Sequence, residues 1–209
     1  LAASSITAWS LSPLLRQQDT PRAANSQGPR RKTLREMAQG DDVEVVSEPE
    51  TEVEYDDLRL LAKAANAIVV GHVTSAESSF DGDNSIFTAH KVVVERVLKD
   101  ATGEVPLLPE WASPAPLTPD IKLVRQGGVV HVNGHRASVK TSGQESLAVG
   151  RKYVFFLWWS PNFKAYYLAG GNAGAVLIDG RRVARPLGKA FKTRYPDSDV
   201  ESFIAEALK

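Results

Sequence analysis

The sequence predicts a mainly β fold, a small antiparallel barrel with a short helix before its first strand and a helix at its C-terminus. Three observations carry this expectation. Apolar and β-branched runs recur with two-residue alternation, tight-turn dipeptides separate them, and there is no strand–helix repetition of the kind a parallel sheet needs.

The chain has 209 residues, 43% of them hydrophobic, enough for one domain of ordinary size plus extensions. Lys and Arg together number 25, as do Asp and Glu, so the whole-chain balance lacks the basic signature of nucleic-acid or anionic-membrane binding. The signs are nevertheless segregated. Basic residues from Arg16 to Arg35 face only Asp19, whereas Glu36 to Asp57 contains acids and no Lys or Arg. The absence of cysteine excludes disulfides, thiolate metal sites and cysteine nucleophiles.

Residues 1–55, rich in Ser, Gln, Pro and Glu, read as a flexible leader with too little apolar surface to offset chain entropy. Its first stretch, LAASSITAWSLSPLL, reads either as the end of a signal or anchor segment or as a plain tail. No apolar run reaches the roughly 18 residues of a membrane span.

Residues 56–209 carry the barrel. Asp56 or Asp57 caps a short helix with Leu58, Leu61, Ala62 and Ala65 at helical spacing, and Asn66 ends it. IVVGHVTSA is a strand from Ile68 to about Ser75, SSFDGDNS a turn, and IFTAHKVVVERVL the returning strand, with His90, Val92 and Val94 on one face. The Pro-rich insertion at 100–120, DATGEVPLLPEWASPAPLTPD, is a long loop that Trp111 pins or leaves available to a partner. Gly127-Gly128 marks a bulge or sharp bend between strand segments. KYVFFLWW, apolar on both faces, belongs at the centre of the sheet. GGNAG is a strand bend, Asp179-Gly180 a two-residue hairpin turn. In the C-terminal helix at 199–208, Ser198 and Glu201 form a capping box, and Val200, Phe203, Ile204, Ala207 and Leu208 form the apolar stripe.

The strongest chemical candidate is HVNGH, residues 131–135. Two histidines four apart share a helix face, but Asn-Gly in mid-helix is costly for both residues. As the centre of a type I′ turn, Asn133-Gly134 places Val132 opposite His135 and His131 opposite Arg136, so the two histidines point to opposite sides. A hairpin is the favoured reading and a shared metal the lesser one. Asp81, Asp83 and Asn84 resemble the start of a calcium loop without the regular ligand spacing or distal Glu, and a polar turn explains them as well. No nucleophile elbow, P-loop or zinc-protease helix is present. Aromatic residues crowd Tyr153 to Tyr167; Phe155, Leu157 and Trp159 alternate against Phe156 and Trp158, so one set fills a core and the other covers a helix or meets a partner. Trp111, Trp158, Trp159, Phe163, Tyr166 and Tyr167 are the candidate interaction surface.

ANAIVVGHVTSAESSFDGDNSIFTAHKVVVERVLKD resembles the opening of netrin-like and metalloproteinase-inhibitor-type OB barrels, a short valine-rich strand with a central glycine, a turn, and a long strand ending in V-L-K. It is similar also to exported bacterial proteins of uncharacterised function that carry such a module, in which segments like QGGVVHVNGHRASV and LAVGRKYVFFL follow. The resemblance covers roughly Leu58 to Ala184 and implies an OB-like barrel exported from a bacterial cell. Inhibitors of that family chelate protease zinc through a cysteine-tethered N-terminal amine, and this chain has no cysteine, so their activity does not carry over.

The expectation is therefore a non-enzymatic, extracytoplasmic module, periplasmic or secreted, that binds a protein or envelope component without a cofactor. The alternatives are a single-stranded nucleic-acid-binding OB domain and a metal-dependent hydrolase using some of the four histidines. The first draws on the bias left after Leu58: six of 25 basic but eleven of 25 acidic residues precede it.

Overall fold

Apolar side chains at every position from Tyr153 to Trp159 leave a strand no face to turn toward water, and the fold is arranged around that demand. The computed structural model describes residues 31–47, 55–100, 112, 117–142, 144–186, 191, 194, 195 and 197–209. Its elements are α1 (Leu34–Met37), β1 (Val43–Ser47), α2 (Leu58–Ala64), β2 (Ala67–Asp81), β3 (Ser85–Lys99), β4 (Asp120–Gln126), β5 (Gly128–Val132), β6 (His135–Thr141), β7 (Lys152–Ser160), β8 (Ala165–Leu168), a 3-10 turn (Gly171–Gly174), β9 (Ala175–Asp179), β10 (Arg182–Pro186) and α3 (Val200–Ala207). The protein is mainly β.

Seven strands pair in the order β10-β9-β7-β2-β3-β4-β8, and β8 pairs also with β7. The pairings β7–β2–β3–β4–β8–β7 thus return on themselves as a five-strand ring, closed by the single parallel pair Leu123↔Tyr166. A second sheet has the order β1-β6-β5. The described residues therefore hold ten strands, and the parallel pairs β4–β8 and β1–β6 depart from the expected antiparallel arrangement.

Alternation along β7 feeds two cores. Tyr153, Phe155 and Leu157 join Val69, Val92, Leu123, Tyr166 and Leu168, so every ring strand contributes to the inner core. Val154, Phe156 and Trp158 face outward beneath α2 and α3, with the Phe156 ring edge-on to Phe203 at 6.5 Å. A third core lies between Phe80 and Ile86, near the tip of the β2–β3 hairpin, and Val130, Val132, Ala137 and Val139 of the small sheet.

Helix α2 has both ends satisfied, as a helix of only seven residues requires. Of the two expected caps it is Asp57 that accepts from the Arg59 and Leu60 amides, at 2.7 and 3.3 Å. At the other end Lys99, half-buried at the end of β3, donates from Nζ to the carbonyls of Ala62 and Ala65 at 2.8 and 2.7 Å and of Lys63 at 3.4 Å. Trp158 Nε1 donates to Ala64 O at 2.6 Å. The amine and indole thus take carbonyls that the helix itself leaves open.

Several sequence expectations shift. The β2–β3 turn is confined to 82–84, because Ser78, Ser79 and Phe80 pair with Thr88, Phe87 and Ile86 and prolong both strands. The helix near the C-terminus is capped by Asp199, which accepts from Ser202 N at 3.0 Å, rather than by Ser198. Ser198 is committed elsewhere, its carbonyl accepting from Val183 N of β10. Leu208 is exposed instead of completing the stripe. Asp179 pairs with Arg182, so the hairpin turns on Gly180-Arg181, and GGNAG contains the 3-10 turn rather than a simple strand bend.

The largest correction concerns the leader expected over 1–55. Within it, α1 and β1 are built into the fold. Val43 and Val45 enter the third core with Leu34 and Ala38, while β1 runs parallel to β6. The acidic run obscures this in the sequence, but Glu44 meets Lys140 at 2.8 Å and Asp42 accepts from the Arg136 amide at 2.8 Å. Trp111 lies outside the described residues; its neighbour Ala112 packs against the outer core. No described helix is long and apolar enough to cross a membrane.

Replacing Lys99 by Met should cost about 1–3 kcal/mol, because carbonyls at the end of α2 lose their donor. Urea unfolding should show a lower midpoint with unchanged slope, and an unchanged midpoint would show that water caps the helix equally well.

A cleft at the mouth of the strand ring

Strand register assembles the site. β2 and β3 place Ser78 opposite Thr88 and Ala76 opposite His90, and β3 and β4 place Arg125 opposite Thr88 and Leu123 opposite His90. Opposed residues share a face, so Ser78–Thr88–Arg125 and Ala76–His90–Leu123 form two adjacent rows. Leu123 belongs to the inner core, which puts both rows on the inner side of the ring.

The chain then changes sheet. β4 belongs to the ring and β5 to the small sheet, and Gly127 and Gly128 make the corner at φ 94° and 140°. Both values favour glycine, and a Cβ on Gly128 would collide with the Thr88 and Ser78 hydroxyls. Thr88 Oγ1 donates to Gly127 O at 2.7 Å and is 2.9 Å from Ser78 Oγ, which accepts from Val129 N at 3.3 Å. These bonds hold β5–β6 as a flap over the ring mouth.

Between flap and ring lies a cleft of about 550 Å³ lined by the first row, by Ala76 and His90 of the second, by Arg136, Ser138 and Thr141 of the flap, and by Gln144 to Leu147 beyond it. His90 is only 5% exposed and its Nδ1 has no hydrogen-bond partner. Burial, and secondly the positive charge of Arg125, push its imidazole down to about 4, against the backbone of Leu123 and Thr88, which favour the protonated ring. Arg125 is 9% exposed; its Nη1 donates to Glu145 O and its Nη2 to Asn172 Oδ1 at 2.6 Å. The site is thus a half-open cleft into which a buried imidazole and a buried guanidinium are set, and the histidine is neutral near pH 7. Such a ring serves as a fixed hydrogen-bonding group but is poorly matched to acid–base transfer at neutral pH.

The candidates read from the sequence fall elsewhere. Of the proposed aromatic surface, Trp158 and Tyr166 are buried and cannot form it. The Trp159 ring lies 4.9 Å from that of Tyr166, tilted by 59°, and packs on the inner core. Phe163 is exposed on the β7–β8 turn, its ring 5.9 Å from half-buried Tyr167. The five described residues of that set do not make one surface, since strand alternation splits them between two sides.

HVNGH is a hairpin tip. Asn133 and Gly134 have φ 52° and 88°, and Val132↔His135 and His131↔Arg136 are the pairs formed. His131 is exposed, while His135 lies 3.7 Å from Asp42. His72 Nδ1 is 2.9 Å from Glu95 Oε1; Lys152, then His72, holds the Glu95 carboxyl below its usual range. No group of three His, Asp or Glu side chains suited to a metal occurs among the described residues. The oxygens of FDGDN hold α1 instead: Asn84 Oδ1 accepts from Leu34 N at 3.0 Å, Gly82 O from Arg35 Nη2 at 3.1 Å, and Asp83 lies 3.4 Å from Arg35 Nε.

Arg125 is the residue that sequence reasoning missed. The available signal was His90 at an inward position between Thr88 and Val92, a polar pair within apolar alternation, but its partner across β4 depends on register.

An unfolded histidine takes up its proton near pH 6.5 and His90 in the fold only near 4, so acid favours unfolding between those values. Its contribution to stability is full above about pH 6.5, falls as pH drops toward 4, and changes no further below. Thermal melts of His90→Asn should lose less stability than the parent across that window; parallel curves would show that His90 does not titrate this way. Comparison of the whole chain with protein-family models, curated proteins and solved structures gives no match.

Proposed function

We propose that this chain is a binding module rather than a catalyst, an OB-like barrel that receives its ligand at the ring mouth beneath the β5–β6 flap. The observation that carries this reading is the cleft itself, a preformed cavity holding a buried imidazole and a buried guanidinium. Barrel mouths with a few convergent polar groups are favoured ligand sites. The OB-like description draws on the five-strand ring, which fits a partly open five-stranded barrel. Its kinship with netrin-like modules rests on the sequence resemblance alone. The non-enzymatic reading draws on the neutral His90, which has no reactive partner assigned to it.

A fragment screen observed by amide NMR tests the site. Bound fragments should shift Gly127, Gly128 and Thr141, and a bulky maleimide on Ser146→Cys, a unique thiol in this chain, should block them. Hits that instead cluster around Phe163 would overturn the cleft as the recognition site.

The location proposed is extracytoplasmic, periplasmic or secreted, from the composition of LAASSITAWSLSPLL and the resemblance to exported proteins. Recovery of the protein from the cytosolic fraction of its native host would end that part.

A second reading is favoured by one observation, the exposed Phe163 ring against half-buried Tyr167 beside Lys164, a combination suited to stacking on single-stranded nucleic acid. Anisotropy titrations with single-stranded DNA and RNA should then show binding that weakens with salt and is lost in Phe163→Ala. Salt-insensitive or absent binding eliminates it.

A further inference from the structure

We infer that the outer edge of β1 accepts an extended, basic segment of a partner protein, which pairs with it and adds a fourth strand to the β1-β6-β5 sheet. No β1 residue lines the cleft, so this is a second and independent surface.

The backbone decides which groups are open. Ser47 O accepts from Ser142 N at 2.8 Å, on the β6 side. Amide and carbonyl directions alternate along a strand, so Val43, Val45 and Ser47 turn theirs to β6, and Glu44 and Val46 turn theirs outward. None of those four outward groups is hydrogen-bonded among the described residues. The other sheet ends are closed. Along β10, Val183 N donates to Ser198 O and Asp197 N to Val183 O. β8 has β4 on one side and β7 on the other. On β5 the outward Val129 amide donates to Ser78 Oγ at 3.3 Å. β1 keeps two adjacent rungs of a ladder without a partner strand.

The side chains select the occupant. Val46, on one of the open rungs, is 64% exposed, more than any other large apolar side chain described. Edge strands are commonly guarded by proline, lysine or a bulge. β1 has none of these, and its register with β6 runs unbroken from Val43↔Ala137 to Ser47↔Thr141. Its charge is acidic. Glu44 is engaged by Lys140 at 2.8 Å, and Asp42 accepts from the Arg136 amide. Asp41, however, is exposed without a described partner, and the sequence holds no Lys or Arg between Glu36 and Asp57. Glu48, Glu50, Glu52 and Glu54 follow the strand in the sequence. An acidic strand approaching this edge meets like charge and a basic one meets its complement. A second copy of β1 would bring the same acids, which disfavours self-pairing. In an antiparallel addition a basic side chain suits the place beside Glu44, and a β-branched one covers Val46.

The full chain, labelled with ¹⁵N, is titrated with an end-blocked peptide of alternating lysine and valine, about six residues long, and with its counterpart carrying glutamate for lysine. The lysine peptide should give saturable shifts at Glu44, Val45 and Val46 and slow the hydrogen exchange of the Glu44 and Val46 amides. Added salt should weaken its binding about threefold to tenfold as the charges are screened. The glutamate peptide should give no saturable shift. Val46→Pro deletes an outward donor and leaves the bonds to β6 in place, so it should abolish binding while the β6 amides keep their slow exchange. Should Val46→Pro fail to fold, the lysine peptide methylated on alternate backbone nitrogens, which cannot complete the ladder, should fail to bind the parent chain.

Equal saturation by both peptides overturns the basic character of the partner. Glu44 and Val46 amides that exchange slowly in the free chain at every concentration put the chain's own residues on the edge, and slowing that grows with protein concentration puts a second copy there. Either result overturns the inference, as do shifts that stay linear in added peptide.

Discussion

Strand β7 must hide both faces, and the rest of the molecule follows from how it does so. Tyr153, Phe155 and Leu157 cannot be buried unless the sheet curls around them, and Val154, Phe156 and Trp158 cannot be buried unless helices cover the opposite side. The strand pairs with β2, β8 and β9, so it is at once a wall of the ring and the bridge to the β9–β10 hairpin. Its length is matched to that task. The buried run ends where Trp159 becomes partly exposed and the chain turns toward β8.

Covering the outer face brings a polar cost, met by the same strand. Placing α2 close against β7 withdraws the helix's last carbonyls from water, and Trp158, buried under the helix, returns an indole N–H to Ala64 O. Lys99 supplies the remaining donors from the end of β3. Its amine loses hydration in doing so, which holds its pKa below the usual lysine range, while the aliphatic stem remains useful as apolar cover. An apolar residue there would pack and leave the carbonyls unpaired, whereas a shorter polar residue would not reach. Packing and hydrogen bonding at this end of the molecule are therefore a single constraint.

How much of this was legible depends on the range of the interaction. The alternation of β7, the Asn133-Gly134 hairpin, the Asp57 cap and the apolar stripe of α3 are local, and the residues that specify them are adjacent in sequence. The Gly127-Gly128 bend was visible as a break, but not that it carries the chain from one sheet to another. Aromatic residues between 153 and 167 looked like a surface because composition counts them together, while the backbone turns Trp158 and Tyr166 inward on different strands. The leader was hardest. Val43 and Val45 are two apolar letters within an acidic run, and their burial depends on β6, nearly a hundred residues later. FDGDN failed for the same reason, since the groups that occupy its oxygens come from Leu34 and Arg35.

The ring mouth is where local rules and the fold disagree most. An inward position on β3 that would hold another valine holds His90, and the facing strand carries Arg125 where the inner core continues with Leu123 and Ile121. Both are costly: the imidazole is buried with an unpaired nitrogen, and the guanidinium is withdrawn from water. Replacing such a pair with packed apolar residues is often neutral or stabilising, so stability alone is a poor reason to place it there. The flap compounds the cost, because Gly127 and Gly128 give up more backbone entropy than other residues would. What the arrangement gains is a cleft whose polar groups are built on strands rather than loops. Rigid strands hold those polar groups at set positions, a preorganisation that a purely structural corner does not need.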